Sequence, residues 1–265
     1  MKSALPLAGR RVLVTRAVHQ AGKLSDGLRA LGAEPVEVPV IEIRPPLDLA
    51  PLDRAMRSLD SYDWLILTSA NTVRALVDRL SHLRILIQSA APPQVAAVGE
   101  ATAEAARHVG LAVSIVPESY VAESLVASLA ERAVGKRILI ARAAVARDLI
   151  PDVLRSAGAT VDVVDAYRNV MPESAPELLR AALRTGIDAK GIDAVAFTSS
   201  SSVTHLADAA RAAGLDFPFA GVAAVSIGPI TSETLRSLDW EPAAEAAVSE
   251  ISSLITAVAF LFKYS

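Results

Sequence analysis

Four short segments carry glycine and hydroxyl residues where a strand should hand over to a helix: Thr68-Ser69, Gly99 to Thr102, Thr198 to Ser202 and Gly228 to Thr231. Loops of this kind gather free backbone N–H groups, hydroxyls and the positive end of a helix dipole in one place. They suit a ligand with several carboxylates or phosphates, while for any single hydroxyl the simpler alternative is N-capping of its own helix. Arg16, Arg142 and Arg147 fall at or just past strand ends, where each either pairs with a carboxylate or stands as a solvated loop arginine. Tyr167 is one of four tyrosines and closes a strand. It either offers its phenol to something in a cleft, as hydrogen-bond partner or proton donor, or packs as an aromatic with a wet hydroxyl.

Several chemistries are excluded by what is missing. Without cysteine there is no disulfide, no thiolate metal site and no thiol nucleophile. His19, His82, His108 and His205 have no metal-ligand spacing and read as surface or helix-end residues. Neither a nucleophile elbow, a phosphate loop nor a dinucleotide fingerprint occurs. No metal and no cofactor are expected. A net charge of -3 gives no electrostatic footprint for nucleic acid. The N-terminus lacks the apolar run of a signal peptide, and the longest run near the C-terminus, Ala257 to Phe262, is far short of the ~20 residues that span a bilayer. No membrane partner and a cytoplasmic location follow as expectations.

The elements that must hold these residues are duplicated. Asp193 to Val203 repeats the grammar of Asp63 to Val73: an apolar run fit for a strand buried on both faces, a hydroxyl cluster, then apolar residues at helical spacing. Arg11 to Arg16 pairs with Arg137 to Arg142, Leu31-Gly32-Ala33 with Ala157-Gly158-Ala159, and Gly99 to Thr102 with Gly228 to Thr231. Aromatic residues are only 4% of the chain, so Ala, Val, Leu and Ile must fill the interior. Strands and helices alternate throughout, the signature of parallel α/β sheets, and the pattern alone divides the chain near Gly135. Val36 to Ile43 reads as one long strand broken at Pro39, Thr160 to Tyr167 as a strand, Ser119 to Glu123 as a capping box, and Ala246 to Phe262 as the last helix.

At this point the residues resemble the uroporphyrinogen-III synthase family. The matching elements are Arg11 to Arg16, Leu31-Gly32-Ala33, Thr68-Ser69 with Asn71 and Val73, Gly99 with Thr102-Ala103, and Pro117 with Glu123-Ser124-Leu125. Lys136 to Arg142, Gly158-Ala159, Asp165-Ala166-Tyr167, Phe197-Thr198-Ser199 and Ile227-Gly228-Pro229 with Thr231 continue the series in the second half. Ala143-Ala144 replaces a glycine that many members carry after the equivalent of Arg142, and the serine run after Thr198 lacks the proline or glycine of some members.

The resemblance implies an α/β fold of two flavodoxin-like parallel-sheet domains joined by a two-stranded linker. One domain would be discontinuous, residues 1–40 plus 170–265, the other 42–166, with linkers near 38–45 and 165–172. It further implies a cofactor-free, monomeric lyase that closes the linear tetrapyrrole hydroxymethylbilane with ring D inversion and loss of water. In that reading Tyr167 assists departure of the hydroxyl group, and Thr102 and Thr231 bind acetate or propionate groups. Arg16, Thr68, Ser69, Gly99, Arg142, Thr198, Ser199, Ser200 and Gly228 complete the substrate-binding set. Loss of the leaving group creates a cation that in water closes without inversion, so catalysis would be mainly positional. The competing expectation is a non-catalytic binding or regulatory protein of the same fold, although the appended DNA-binding domain of a regulatory relative finds no room after Phe262.

Overall fold

Buried apolar runs become the central strands, and amphipathic segments become the helices between them. The computed structural model describes residues 5–86, 92–117, 122–146, 148–183 and 191–263, with the side chains of 122 and 123 left aside. In chain order the elements are β1 (Arg11–Val14), α1 (Val18–Ala30), β2 (Glu34–Glu37), β3 (Glu42–Arg44), α2 (Ala50–Arg57), β4 (Trp64–Leu67), α3 (Ala70–Leu83), β5 (Gln94–Ala97), α4 (Glu100–His108), β6 (Val113–Ile115) and α5 (Ala122–Ala133). There follow β7 (Arg137–Ala143), α6 (Leu149–Ser156), β8 (Thr160–Val170), α7 (Ala175–Leu183), β9 (Ala194–Phe197), α8 (Ser200–Ala213), β10 (Ala223–Ser226), α9 (Pro229–Arg236), β11 (Ala244–Glu245) and α10 (Ile251–Leu261). Arg147 and the greater part of the expected Ser119–Glu123 capping box lie outside the described residues.

The chain divides into two units, Met1–Glu42 with Val170–Ser265, and Ile43–Asn169. This corrects the cut near Gly135 that the repeat suggested. The first unit holds a sheet of order β11-β10-β9-β1-β2, and the second a sheet of order β3-β8-β7-β4-β5-β6. Apart from β3 the two orders are the same. β1 and β2 correspond to β7 and β8, while β9, β10 and β11 correspond to β4, β5 and β6. Each sheet therefore takes its strands from both sequence repeats. The first has the 2-1-3-4-5 order of flavodoxin-like folds, and the second is a circular permutation of it.

Both faces of each sheet are covered. In the first unit Leu13, Val195 and Phe197 pack with α7 and α8 residues such as Leu179 and Leu206, and Val12, Val14 and Ala196 pack with Leu24 and Leu28 of α1 and Leu254 and Val258 of α10. In the second, Leu65, Leu67 and Leu139 meet Met56, Val73 and Leu76, while Ile66, Ile138 and Ile140 meet Leu125, Leu129 and Leu154. The central strands β4 and β9 are buried along their whole length, which is why both read as unbroken apolar runs.

The aspartate that opens each repeated stretch has a fixed task. Asp193 accepts the Arg11 amide at 2.7 Å and Arg10 Nη1 at 2.9 Å, and Asp63 accepts the Arg137 amide at 2.8 Å and Lys136 Nζ at 2.9 Å. In both units it fastens neighbouring strands at their N-terminal ends. The Arg137 amide, then Lys136, holds the Asp63 carboxyl below its ordinary value, and a hydrogen bond from Arg79 does the same for Asp53. A depressed carboxylate stabilises the fold above its unfolded pKa of about 3.9, and that contribution disappears as pH falls through the lower folded value. Asp63→Asn should therefore narrow the stability difference between pH 7 and pH 3, as measured by urea denaturation at both values.

Two helix ends show why equivalent glycines are unequal. α1 and α6 close with the same Schellman bonds, Ala33 N–H to Leu28 O and Ala159 N–H to Leu154 O, both 3.1 Å. Gly32 and Gly158 take φ of +93° and +90°. A Cβ at Gly32 would lie 2.9 Å from Leu5 Cβ and 3.2 Å from backbone atoms of Ala8, whereas at Gly158 the nearest atom, Val134 Cγ1, is 3.9 Å away. Gly158→Ala should cost about 1–2 kcal/mol from the left-handed backbone alone, and Gly32→Ala clearly more, because backbone must also move. Urea midpoints of the two variants check the order.

Other expectations need correction. The strand expected over Val36 to Ile43 is two strands in different sheets: Pro39 has no N–H, and on either side of it Val38 and Val40 donate to Val14 and Thr15 before the chain leaves for β3. β8 runs on to Val170, so Tyr167 lies inside it rather than at its end. The last helix begins at Ile251, because Ala244 and Glu245 pair with Val225 and Ser226 as an edge strand and Ala246 donates to Ser226.

Candidate functional site

Parallel strands bring all their C-terminal ends to one edge of a sheet, and there each unit gathers half of the expected site residues. Arg16, Thr198, Ser199, Ser200, Gly228 and Thr231 belong to the first unit, and Thr68, Ser69, Gly99, Thr102, Arg142 and Tyr167 to the second. The strand-to-helix loops fall into two kinds.

At the ends of β4 and β9 the serines cap their helices. Ser69 Oγ accepts the Thr72 amide at 3.1 Å, and Ser199 Oγ accepts the Ser202 amide at 3.2 Å in a reciprocal capping box. Ser200 Oγ donates to the Ile230 carbonyl at 3.2 Å and so joins the starts of α8 and α9. Thr68 Oγ1 reaches the Ala141 carbonyl at 3.4 Å. For Ser69 and Ser199 the N-capping alternative is realised, whereas Ser200 and Thr68 tie their loops to neighbouring carbonyls.

At the ends of β5 and β10 the N-cap is glycine, Gly99 or Gly228, and no side chain caps the helix. Thr102 and Thr231 stand at equivalent positions three residues on, 6% and 4% exposed. Among the described residues neither hydroxyl has a hydrogen-bond partner. Both glycine carbonyls accept the threonine amides, at 3.0 Å and 3.1 Å, leaving the amides of Glu100, Ala101 and Ile230 at the open helix starts. Pro229 at the first position of α9 has no N–H, so that loop offers one amide fewer. Gly228 is buried beneath Ser249, whose Oγ would sit 2.7 Å from a Cβ there, so the chain before α10 closes over this loop.

The two described arginines differ in kind. Arg16 is half-buried, its only partner among the described residues is Gln20 Oε1 at 3.5 Å, and burial holds its guanidinium below its ordinary value. A desolvated cation without a carboxylate is suited to an incoming anion. Arg142 continues the face of Ile138 and Ile140 and binds Asp148 at 2.6 Å, so of its two alternatives the pairing with a carboxylate is met within the chain.

Tyr167 is 7% exposed and packs with Leu67, Val73 and Ala141. Its hydroxyl lies 3.1 Å from Ser69 Oγ, although β7 separates β8 from β4. Two features allow this reach. β7 carries only Ala141 and Ala143 at this level, and the β7–β8 register shifts between Arg142↔Asp165 and Ala143↔Tyr167. The shift inserts one residue, Ala166, and turns Tyr167 onto the face of α3.

Among the histidines, His19, His82 and His108 are exposed. His205 is not a surface residue: it lies within α8, half-buried, and its Nδ1 is 3.0 Å from the Val40 carbonyl. Among the described residues no cluster of His, Cys, Asp or Glu could hold a metal ion.

A family model described as uroporphyrinogen-III synthase HemD matches residues 22–256. The uroporphyrinogen-III synthase of Synechococcus elongatus is 35% identical over 257 residues, 96% of this chain and 96% of that relative. The porphyrin biosynthesis protein HemD of Ruminiclostridium josui is 33% identical over 234 residues, which are 87% of this chain and 44% of that longer relative. A solved structure of a mutant uroporphyrinogen III synthase from Thermus thermophilus aligns with a TM-score of 0.64 at 21% identity, over 97% of this chain and 100% of the other, a likeness of fold. Repeat, fold and full-length similarity agree: this chain belongs to the uroporphyrinogen-III synthase family.

Proposed function

We propose that the chain is a uroporphyrinogen-III synthase, a lyase that closes hydroxymethylbilane to uroporphyrinogen III with ring D inversion and loss of water in tetrapyrrole biosynthesis. The observation that carries this reading is the end-to-end similarity to the Synechococcus synthase. The two glycine-capped helix starts support it: Thr102 and Thr231 are unengaged hydroxyls beside open amides, a receptor for the acetate and propionate groups of such a substrate. Arg16 adds a cation for one more carboxylate. Thr68, Ser69, Arg142, Thr198, Ser199 and Ser200 complete the substrate-binding set of this reading. Tyr167 is the acid that lets the hydroxyl group leave as water. Holding a flexible chain so that one ring attacks the right carbon calls for placement more than for reactive groups, which suits a set with no nucleophile.

The reading includes a monomer that works in the cytoplasm on a small molecule, with neither nucleic acid nor a cofactor. Among the described residues no helix is long and apolar enough to cross a membrane. Incubating the purified protein with freshly generated hydroxymethylbilane and resolving the isomers by chromatography tests the reaction. Isomer III is expected; isomer I alone, the product of unassisted closure, would reject it.

A further inference from the structure

We propose that Ser69 is a positioning residue for the Tyr167 phenol, its hydroxyl turning to the phenolate oxygen once the tyrosine proton has gone to the departing hydroxyl group. This rests on the reading of Tyr167 as the acid.

The geometry singles out Ser69 because its oxygen serves two masters. It is fixed at the start of α3 by the Thr72 amide at 3.1 Å, and from there it lies 3.1 Å from both Thr72 Oγ1 and the Tyr167 hydroxyl. A serine has one proton to donate, so it points either at Thr72 or at Tyr167. The Ala141 carbonyl sets the resting direction, since it can only accept: Thr68 donates to it, Thr72 Oγ1 lies 3.4 Å from Thr68, and the order continues through Ser69 to a phenol that donates to Ser69. Thr72 is fully buried and the Tyr167 residue is 7% exposed. When that oxygen becomes negative, the nearest donor is Ser69, itself at the positive end of α3.

The step balances. The Tyr167 O–H bond breaks as its proton joins the leaving oxygen, and the carbon–oxygen bond breaks with its electron pair departing in water. Ser69 donates to the phenolate. After ring closure the proton released from the pyrrole carbon that was unsubstituted in the linear substrate restores the phenol, so substrate gives product and one water.

Steady-state kinetics of the full chain on hydroxymethylbilane test the role. Ser69→Ala removes the donor without adding charge, and it should lower kcat about tenfold or more with KM changed less than about threefold and only a modest drop in the urea midpoint from the lost α3 cap. Ser69→Thr, which keeps both functions, should restore kcat. The double variant Ser69→Ala with Tyr167→Phe should be no slower than Tyr167→Phe alone, because both changes remove one unit. Parent-like kcat in Ser69→Ala, or fully additive losses in the double variant, would overturn the positioning role while leaving a slow Tyr167→Phe intact. Parent-like kcat in Tyr167→Phe would overturn the acid and this proposal together.

Discussion

Replacing Tyr167 with phenylalanine is expected to lower kcat by about a hundredfold, the scale on which a positioned acid contributes to a proton transfer. Stability should change by only about 1 kcal/mol, because the ring keeps its packing against Leu67, Val73 and Ala141 and a single hydroxyl contact to Ser69 is lost. The product ratio supplies a second readout. A slowed enzyme releases or competes with substrate that closes spontaneously, so isomer I should rise beside isomer III. Initial rates and isomer chromatography on the same samples check both effects. An unchanged rate would leave Tyr167 as a packed aromatic whose hydroxyl is satisfied by the α3 cap.

Cutting the protein at the repeat boundary should abolish folding, whereas cutting it at the crossings between units should not. Residues 43–169 carry β4 to β8 with both covering layers, Leu65, Leu139 and Met56 on one side and Ile66, Ile140 and Leu129 on the other. That fragment is expected to unfold cooperatively in urea. Residues 1–135 retain β1 and β2 without β9, and β4 without β7, so the ladder Trp64↔Ile138 to Leu67↔Ala141 is missing and two central strands become apolar edges. Neither 1–135 nor 136–265 should show a cooperative transition alone. Circular dichroism across a urea series on the three fragments decides the matter, and a cooperative 1–135 fragment would contradict the exchange of strands.

Those same features mark what the sequence could and could not disclose. The stretches Asp63 to Val73 and Asp193 to Val203 were legible because β4 and β9 are buried on both faces, which forces unbroken apolar runs, and because Ser69 and Ser199 cap the helices that follow. Even the leading aspartates were present in the pattern, with their strand-fastening role visible only once neighbouring strands were known. The interruption at Pro39 was readable, yet not that it sends its two sides to different sheets. The two-residue strand β11 carries too little periodicity to be read, and without it the alanine-rich residues from Ala246 look like the start of the last helix. For Tyr167 residue type marked a candidate, but its aim depends on the one-residue register shift against β7, a property of two strands at once. The difference between Ser69 and Thr102, one engaged in a cap and the other unengaged, likewise exists only in three dimensions.

The second unit is an excursion within the first, and its two ends meet: β3 and β8 are neighbouring strands, and Arg168 donates to the Pro45 carbonyl at 3.0 Å. Until the excursion is ordered, the first unit must bring β2 and β9 into one sheet across a long slack tether, at an entropic cost on the order of a few kcal/mol. Once it is ordered, that tether shrinks to the short gap between adjacent strands. An ordered inner piece thereby acts as a clasp for the outer one, so destabilising lesions in the inner piece are expected to weaken both, whereas lesions in the outer piece should leave the inner one standing.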